Sequence, residues 1–298
     1  MTLPERLPRI TGVTIITDEH CLAYSSPGHP ERPERVGKTL DLLRGPRGGA
    51  YHQAALRVVA DDAILRAHTA AHLSRIGQPP DIDADTPYHP QIGRLARLAA
   101  SGAIQAMELA WKGERTFSLM RPPGHHASAD RAMGFCYLNN VAIAVLAAHV
   151  GGVGKVAVYD FDVHHGNGTE AILLGRPGCA FYSVHQYPAY PGTGLHSQDN
   201  CHNYPMPPRS PRQEYRAALM KALNDLERFA PDLIAVSAGF DAYRADPIAQ
   251  ELLEQEDYFW LAQKIRDLGR PVFSVLEGGY SGELPELILA YLQGMNGC

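Results

Sequence analysis

Between Val156 and Gly168 the chain reads VAVYDFDVHHGNG, an apolar run that breaks off in Asp160, Asp162, His164 and His165. A short continuous apolar run is the pattern of a strand buried on both faces, and open α/β sheets bind ligands just beyond the carboxyl ends of their strands. Alternation along an extended backbone predicts Asp160, Asp162 and His164 on one side, with Phe161 and Val163 opposite. Carboxylate oxygen and imidazole nitrogen are both zinc donors, and a catalytic zinc site commonly has three protein ligands and one open position. A lone strand-end aspartate more often caps the next helix, and a lone histidine more often serves a loop hydrogen bond. Two carboxylates beside two histidines differ, because burying them together is costly unless a cation sits among them.

Three other apolar runs end in the same manner. Met120 leads into Arg121–His126, Ser237 into Ala238–Asp241, and Leu276 into Glu277–Tyr280. In a parallel sheet such ends share one edge, so the four segments can line one pocket. Asp241 then joins Asp162 and His164 as a mixed oxygen and nitrogen ligand set for one metal ion. His125 and His126 suit proton transfer, because imidazole titrates near neutral pH, and Asp160 and Asn167 are candidates to orient them. A single histidine pair could equally be structural. Tyr280 follows two glycines, so the backbone can turn tightly and present its hydroxyl to a developing oxyanion; a packed core tyrosine is the alternative. Gly134, Phe135 and Tyr190 can wall a narrow apolar channel, although any one aromatic is more often simple packing.

These residues need a scaffold, and the chain supplies alternating strand and helix patterns. Strands are predicted at Gly12–Thr17, Thr116–Met120, Lys155–Asp160, Cys179–Val184, Asp232–Ser237 and Pro271–Leu276. Helices are predicted at Pro33–Arg44, Ile92–Trp111, Val141–Val150, Gln213–Phe229, Asp257–Leu268 and Leu284–Leu292. This alternation implies an α/β protein with a parallel sheet and helices on both faces. Arg121–Asn140 reads as a long loop forming a site wall, and Gly45–Gly49 and Gln186–Pro211 are the loosest stretches. No linker or repeat divides the chain, so residues 1–298 are expected to form one domain.

Of 298 residues, 45% are hydrophobic and 20% charged, the composition of a folded globular enzyme rather than a disordered chain. A net charge of -5 predicts no direct nucleic-acid partner, and a basic partner would need a local acidic rim. The N-terminal residues lack a basic region followed by a sustained apolar stretch, and no segment approaches the length of a membrane span, so a cytoplasmic location is expected. Cys21, Cys136, Cys179, Cys201 and Cys298 are odd in number and lack a CxxC spacing, which argues for free thiols rather than a disulfide scaffold. Cys136 is expected to be a small buried residue, not a nucleophile.

Taken in order, HPERPER, RPPGHHA, RAMGFCYLNN, DFDVHHGNGT, YPGTG, SAGFDA and EGGY resemble the signature segments of the histone deacetylase family, within the arginase and deacetylase superfamily, closest to its class II and bacterial members. The resemblance spans His20 to Tyr280. It implies a parallel sheet of about eight strands with the site in loops at their carboxyl ends, and a zinc-dependent amidohydrolase with Asp162, His164 and Asp241 as ligands. It implies that His125 and His126 handle the water and the leaving amine, that Asp160 stands behind His125, and that Tyr280 polarises the carbonyl. Gly134, Phe135 and Tyr190 match walls of an acyl-lysine tunnel. The resemblance also implies a structural potassium ion near Asp160, Asp162, His164, Ser183 and Val184, whereas Leu173 and Arg176 carry no signature of a second one.

Three positions bear on selectivity within that resemblance. Asn167 replaces an aspartate of class I members, which makes His126 harder to protonate and better suited as a base. Tyr190 replaces a common phenylalanine at the tunnel rim. Ile248 stands where acetylpolyamine deacetylases carry an acidic residue, so it leaves the distal ammonium of a polyamine without a partner. The expected substrate is N-acyl-lysine on a protein or peptide, with deacylation of small acylated amines as the alternative. A silent acyl-lysine reader or scaffold is disfavoured by the presence of every catalytic position, and a manganese ureohydrolase by the lack of further aspartates for a second metal. A homo-oligomer is left open. His165 is expected to be structural.

Overall fold

The computed structural model describes residues 12–48 and 51–297. Residues 1–11, Gly49 of the expected Gly45–Gly49 loop, and Cys298 lie outside them. The chain begins with β1 (Val13–Ile16), α1 (Glu34–Arg44), β2 (His52–Ala54), α2 (Asp61–Ile64) and α3 (Ala70–Arg75). It continues through α4 (Ile92–Trp111), β3 (Arg115–Ser118), α5 (Asn140–Val150), β4 (Val156–Asp160), α6 (Asn167–Leu173) and β5 (Cys179–Gln186). The last elements are β6 (Cys201–Met206), α7 (Arg212–Phe229), β7 (Leu233–Ala238), α8 (Gln255–Asp267), β8 (Val272–Leu276) and α9 (Leu284–Asn296).

The strands form one eight-stranded sheet in the order β2-β1-β3-β8-β7-β4-β5-β6, and every pairing is parallel. Every residue of β4, β7 and β8 is buried, as expected of strands covered by helices on both faces. The four strands whose ends were singled out by their polar signatures, β3, β8, β7 and β4, are consecutive in the sheet. Their carboxyl ends therefore adjoin.

Local sequence explains the main helices. In α5 nearly every residue is apolar, so the helix is buried between α4, β4 and β7; the Asn139 side chain caps it by accepting from the Ala142 amide at 3.0 Å. At the start of α8, Glu254 and Asp257 form a reciprocal capping box. Helix α9 packs along α8 so closely that a Cβ on Gly294 would lie 2.3 Å from the Phe259 carbonyl oxygen.

Two strands depart from the sequence reading. β2 is three residues long, with His52 and Gln53 exposed and only Ala54 half-buried, too little to give an apolar signal. β6 lies inside the stretch expected to be loose; its sequence, CHNYPM, contains Pro205, which the sheet tolerates because β6 is an edge strand. Helix α6, which the sequence reading did not include, begins directly after the histidine cluster. Cys21, Cys136, Cys179 and Cys201 are free and buried. Among the described residues, no helix is long and apolar enough to cross a membrane.

Candidate active site

β4 ends at Asp160, so Asp162 and His164 are not brought together by strand alternation as expected. Side chains bonded to backbone amides shape the turn instead. Asp160 Oδ1 accepts from the Asp162 amide (3.1 Å), Asp162 Oδ1 from the His164 amide (2.9 Å), and Asp241 Oδ1 from the Val163 amide (2.8 Å). Asp160 consequently faces His125, while His164 Nδ1 lies 3.1 Å from both Asp162 Oδ1 and Asp241 Oδ2.

Asp162, His164 and Asp241 are buried, and one ligand atom from each falls within 4.8 Å of the others. Glycines make room for this cluster. A Cβ on Gly278 would lie 2.1 Å from Asp241 Oδ2 and 2.5 Å from Asp162 Oδ2, and one on Gly239 would lie 2.2 Å from Asp162 Oδ2. Burial and then the Asp162 charge push the Asp241 carboxyl up. Burial alone would lower His164, but its bonds to Asp162 and Asp241 hold it up at about 10. Two buried carboxylates thus require positive charge at the point where the third donor meets them. The glycine cradle, the donor types and this charge demand all fit a metal ion.

The tandem histidines sit beside the cluster, with ring centroids 4.0 Å apart. His125 Nδ1 lies 3.2 Å from Asp160 Oδ2, and burial, which would lower its pKa, is outweighed by Asp162 and Asp160, which raise it to about 10. His126 experiences the opposite pull: burial and the charges of His125 and His164 push it well below the usual range. Its Nδ1 lies 2.8 Å from Asn167 Oδ1 and so donates there, leaving Nε2 as an acceptor. One histidine is held charged and its neighbour neutral.

Tyr280 is buried, and burial pushes its phenol well above the usual range, so the hydroxyl remains a proton donor. Its loop is braced by residues in the recognised segments to which no role had been assigned. Arg35 sits 4.7 Å over the Tyr280 ring and donates to the carbonyls of Gly279 (2.7 Å) and Glu277. Buried Glu31 pairs with both Arg35 (2.9 Å) and Arg121 (2.7 Å). The Glu277 carboxylate accepts from the amides of Gly124 (2.7 Å) and His125 (3.1 Å), fixing the loop that carries the histidines. The signal for these residues was their place in HPERPER, RPPGHHA and EGGY.

His125, His126, His164 and Tyr280 line the buried end of a cavity of about 290 Å³, with Phe135 along it. Tyr190 and Ile248, 41% and 39% exposed, stand at its mouth together with Asp85. Gly134 (φ 56°) and Phe135 (φ 68°) both adopt the left-handed conformation in a two-residue turn closed by Met133 and Cys136. That turn presses Phe135 edge-on to Tyr280, centroids 5.6 Å apart. A Cβ on Gly134 would lie 2.6 Å from the His126 ring, so only glycine lets wall and histidine approach this closely. His165 faces away, with Thr193 Oγ1 at 2.8 Å and Glu170 Oε2 at 3.0 Å. Ser183 is the register partner of Asp160 on the adjacent strand, with Val184 next to it.

Residues 29–294 match the family described as the histone deacetylase domain. A probable deacetylase of Methanothermobacter thermautotrophicus is 38% identical over 297 residues, covering 93% of this chain and 90% of that protein. Acetylpolyamine amidohydrolase 1 of Pseudomonas aeruginosa is 38% identical over 212 residues, 67% of this chain and 61% of its own length. The crystal structure of the HDA15 HD domain superposes with a TM-score of 0.90 at 30% identity, over 96% of this chain and 90% of that one. By its sequence, its sheet and the family match, the chain belongs to the histone deacetylase family of hydrolases.

Proposed function

We propose that the protein hydrolyses the amide of N-acyl-lysine in proteins or peptides, releasing a carboxylate and free lysine. The observation that carries this reading is the shared placement of Tyr280, His125, His126 and the Asp162–His164–Asp241 cluster at the buried end of one narrow cavity. An extended lysine stem fits such a channel, with its amide delivered to the buried end. Asp162, His164 and Asp241 would hold zinc, which supplies Lewis acidity and an acidified water when bound. Neutral His126 accepts a proton from the attacking water through Nε2. The Tyr280 hydroxyl donates a hydrogen bond to the oxygen on which charge develops, and charged His125, steadied by Asp160, gives its proton to the departing amine; transfer of the proton held by His126 to His125 then restores the pair. Asn167 fixes the tautomer that leaves His126 Nε2 free. Gly134, Phe135 and Tyr190 wall the channel. A structural potassium ion is assigned to Asp160, Asp162, His164, Ser183 and Val184, supported by the register pairing of Asp160 with Ser183.

A second reading, deacylation of small acylated amines, is favoured by the acetylpolyamine amidohydrolase relative and by Asp85, a carboxylate at the mouth that can meet a distal ammonium. Ile248 at the same mouth offers none. Turnover of acetyl-lysine peptides, longer acyl-lysine peptides and acetylspermidine, each in potassium and in sodium buffer, separates the two. Peptides should be turned over, faster in potassium. Inert peptides beside active acetylspermidine would install the second reading. The Tyr280→Phe variant should retain its metal and lose about 100-fold or more in kcat; undiminished turnover would contradict the role of the hydroxyl.

A further inference from the structure

Five residues beyond Asp241, the chain places another buried carboxylate, Asp246, that belongs neither to the metal cluster nor to the histidine pair. Its two oxygens divide their work. Oδ2 accepts from the backbone amide of Tyr280 at 2.7 Å, and Oδ1 from the backbone amide of Ile248 at 3.1 Å. Both donors line the cavity, Tyr280 at its buried end and Ile248 at its mouth. The two come from segments 32 positions apart in the chain, and within this pair of bonds only Asp246 joins them. The Asp246 amide donates back to the Tyr243 carbonyl at 2.9 Å, so the carboxylate stands on a closed turn rather than a free arm.

The segment holding Tyr280 needs such a brace. Gly279 adopts φ +114°, a conformation that leaves the chain direction at Tyr280 poorly determined by local sterics. The remaining bonds fix the residues before Tyr280: Arg35 holds the Glu277 and Gly279 carbonyls, and Asp162 Oδ2 accepts from the Gly278 amide at 2.7 Å. Asp246 grips the Tyr280 backbone itself. A buried amide that loses its hydrogen-bond acceptor is left unsatisfied, at a cost larger than the bond's own net contribution.

We propose that Asp246 is a positioning residue that sets the Tyr280 hydroxyl through one oxygen and the Ile248 rim through the other, so that the buried end of the cavity and its mouth keep a fixed relation. This rests on the catalytic reading of Tyr280 given above. Asp246 touches no substrate in this arrangement. Its oxygen on Tyr280 governs kcat, because an oxyanion donor displaced by an ångström loses its effect. Its oxygen on Ile248 governs KM, because the rim contacts the substrate stem without taking part in the reaction.

A double-mutant cycle tests this, using a trifluoroacetyl-lysine peptide whose activated carbonyl keeps residual turnover measurable. Asp246→Ala removes both acceptors and should lower kcat by about 10- to 100-fold and raise KM several-fold. In the Tyr280→Phe background the same substitution should leave kcat within about twofold while the KM change persists, since residues acting as a unit are not additive. Asp246→Asn keeps one acceptor and should rescue one parameter more than the other; it also serves as the cycle partner if Asp246→Ala does not fold. Metal content and Tm are measured on each variant. A full kcat loss from Asp246→Ala in both backgrounds, or no kcat loss in either, overturns the inference while the catalytic reading stands. Undiminished turnover of Tyr280→Phe alone overturns the catalytic reading, and the inference falls with it.

Discussion

Two adjacent histidines with opposite protonation illustrate how much single side chains depend on their second neighbours. His125 and His126 share a backbone and a cavity, yet two carboxylates hold the first charged while burial and two cationic rings hold the second neutral, against the opposing pull of Asp162 and Asn167. The sequence placed Asp160 behind His125 and made His126 the base, but the division itself comes from burial and from Asp162 and His164, which only the fold brings beside the pair. Glu277 was marked by its place in EGGY but not by its role, and Asp246 not at all, because a carboxylate that serves backbone amides shows no spacing that names its partner. Glu251 poses a different case. It is buried, and burial pushes its carboxyl up to about 7 against an opposing pull from the Ser210 backbone. Folding therefore favours the protonated form: stability associated with this group is fully present below pH 4.5, the ordinary value, and is lost as pH rises through about 7. Glu251→Gln should raise the denaturant midpoint at pH 8 and leave it almost unchanged at pH 4.

At the scale of elements, those with long apolar or periodic runs were legible and those without were not. α4 occupies the predicted Ile92–Trp111, and β4, β5, β7 and β8 lie within two residues of their predicted bounds. β2 and β6 pair onto backbone groups that β1 and β5 offer, and the burial of Cys201 with partial burial of Tyr204 and Met206 in β6 follows no alternation that marks a strand in the sequence. Close approach between helices is likewise a tertiary matter. Gly294 in α9 faces the Phe259 carbonyl of α8, where no β-carbon fits. Gly294→Ala should cost about 2 kcal/mol by forcing the two helices apart, despite the better helix propensity of alanine. A lowered urea midpoint at unchanged m value would show it, and a midpoint equal to or above that of the unmodified protein would refute it.

At the scale of the whole molecule, the active site is an outcome of strand order. Asp162 and His164 follow β4 and Asp241 follows β7, and the cluster exists because those strands are neighbours. Metal binding should therefore stabilise the assembled sheet rather than one segment. Chelation should lower Tm and abolish turnover, and zinc at about 100 times Kd should return about 2.7 kcal/mol. In Asp241→Ala, zinc should no longer raise Tm; an undiminished rise would place the metal elsewhere. The sequence by itself determined the residue types, the apolar strands that carry them, and the ordered segments that mark the family, because burial periodicity and local chemistry are written residue by residue. Only the tertiary structure decided the order in which the four polar strand ends adjoin, the side-chain bonds to backbone amides that bring Asp162 and His164 together beyond the end of β4, and that Asp246 joins Tyr280 to the rim. Those relations depend on the crossing order of the strands and on side-chain bonds to distant backbone amides, and neither is encoded in local spacing.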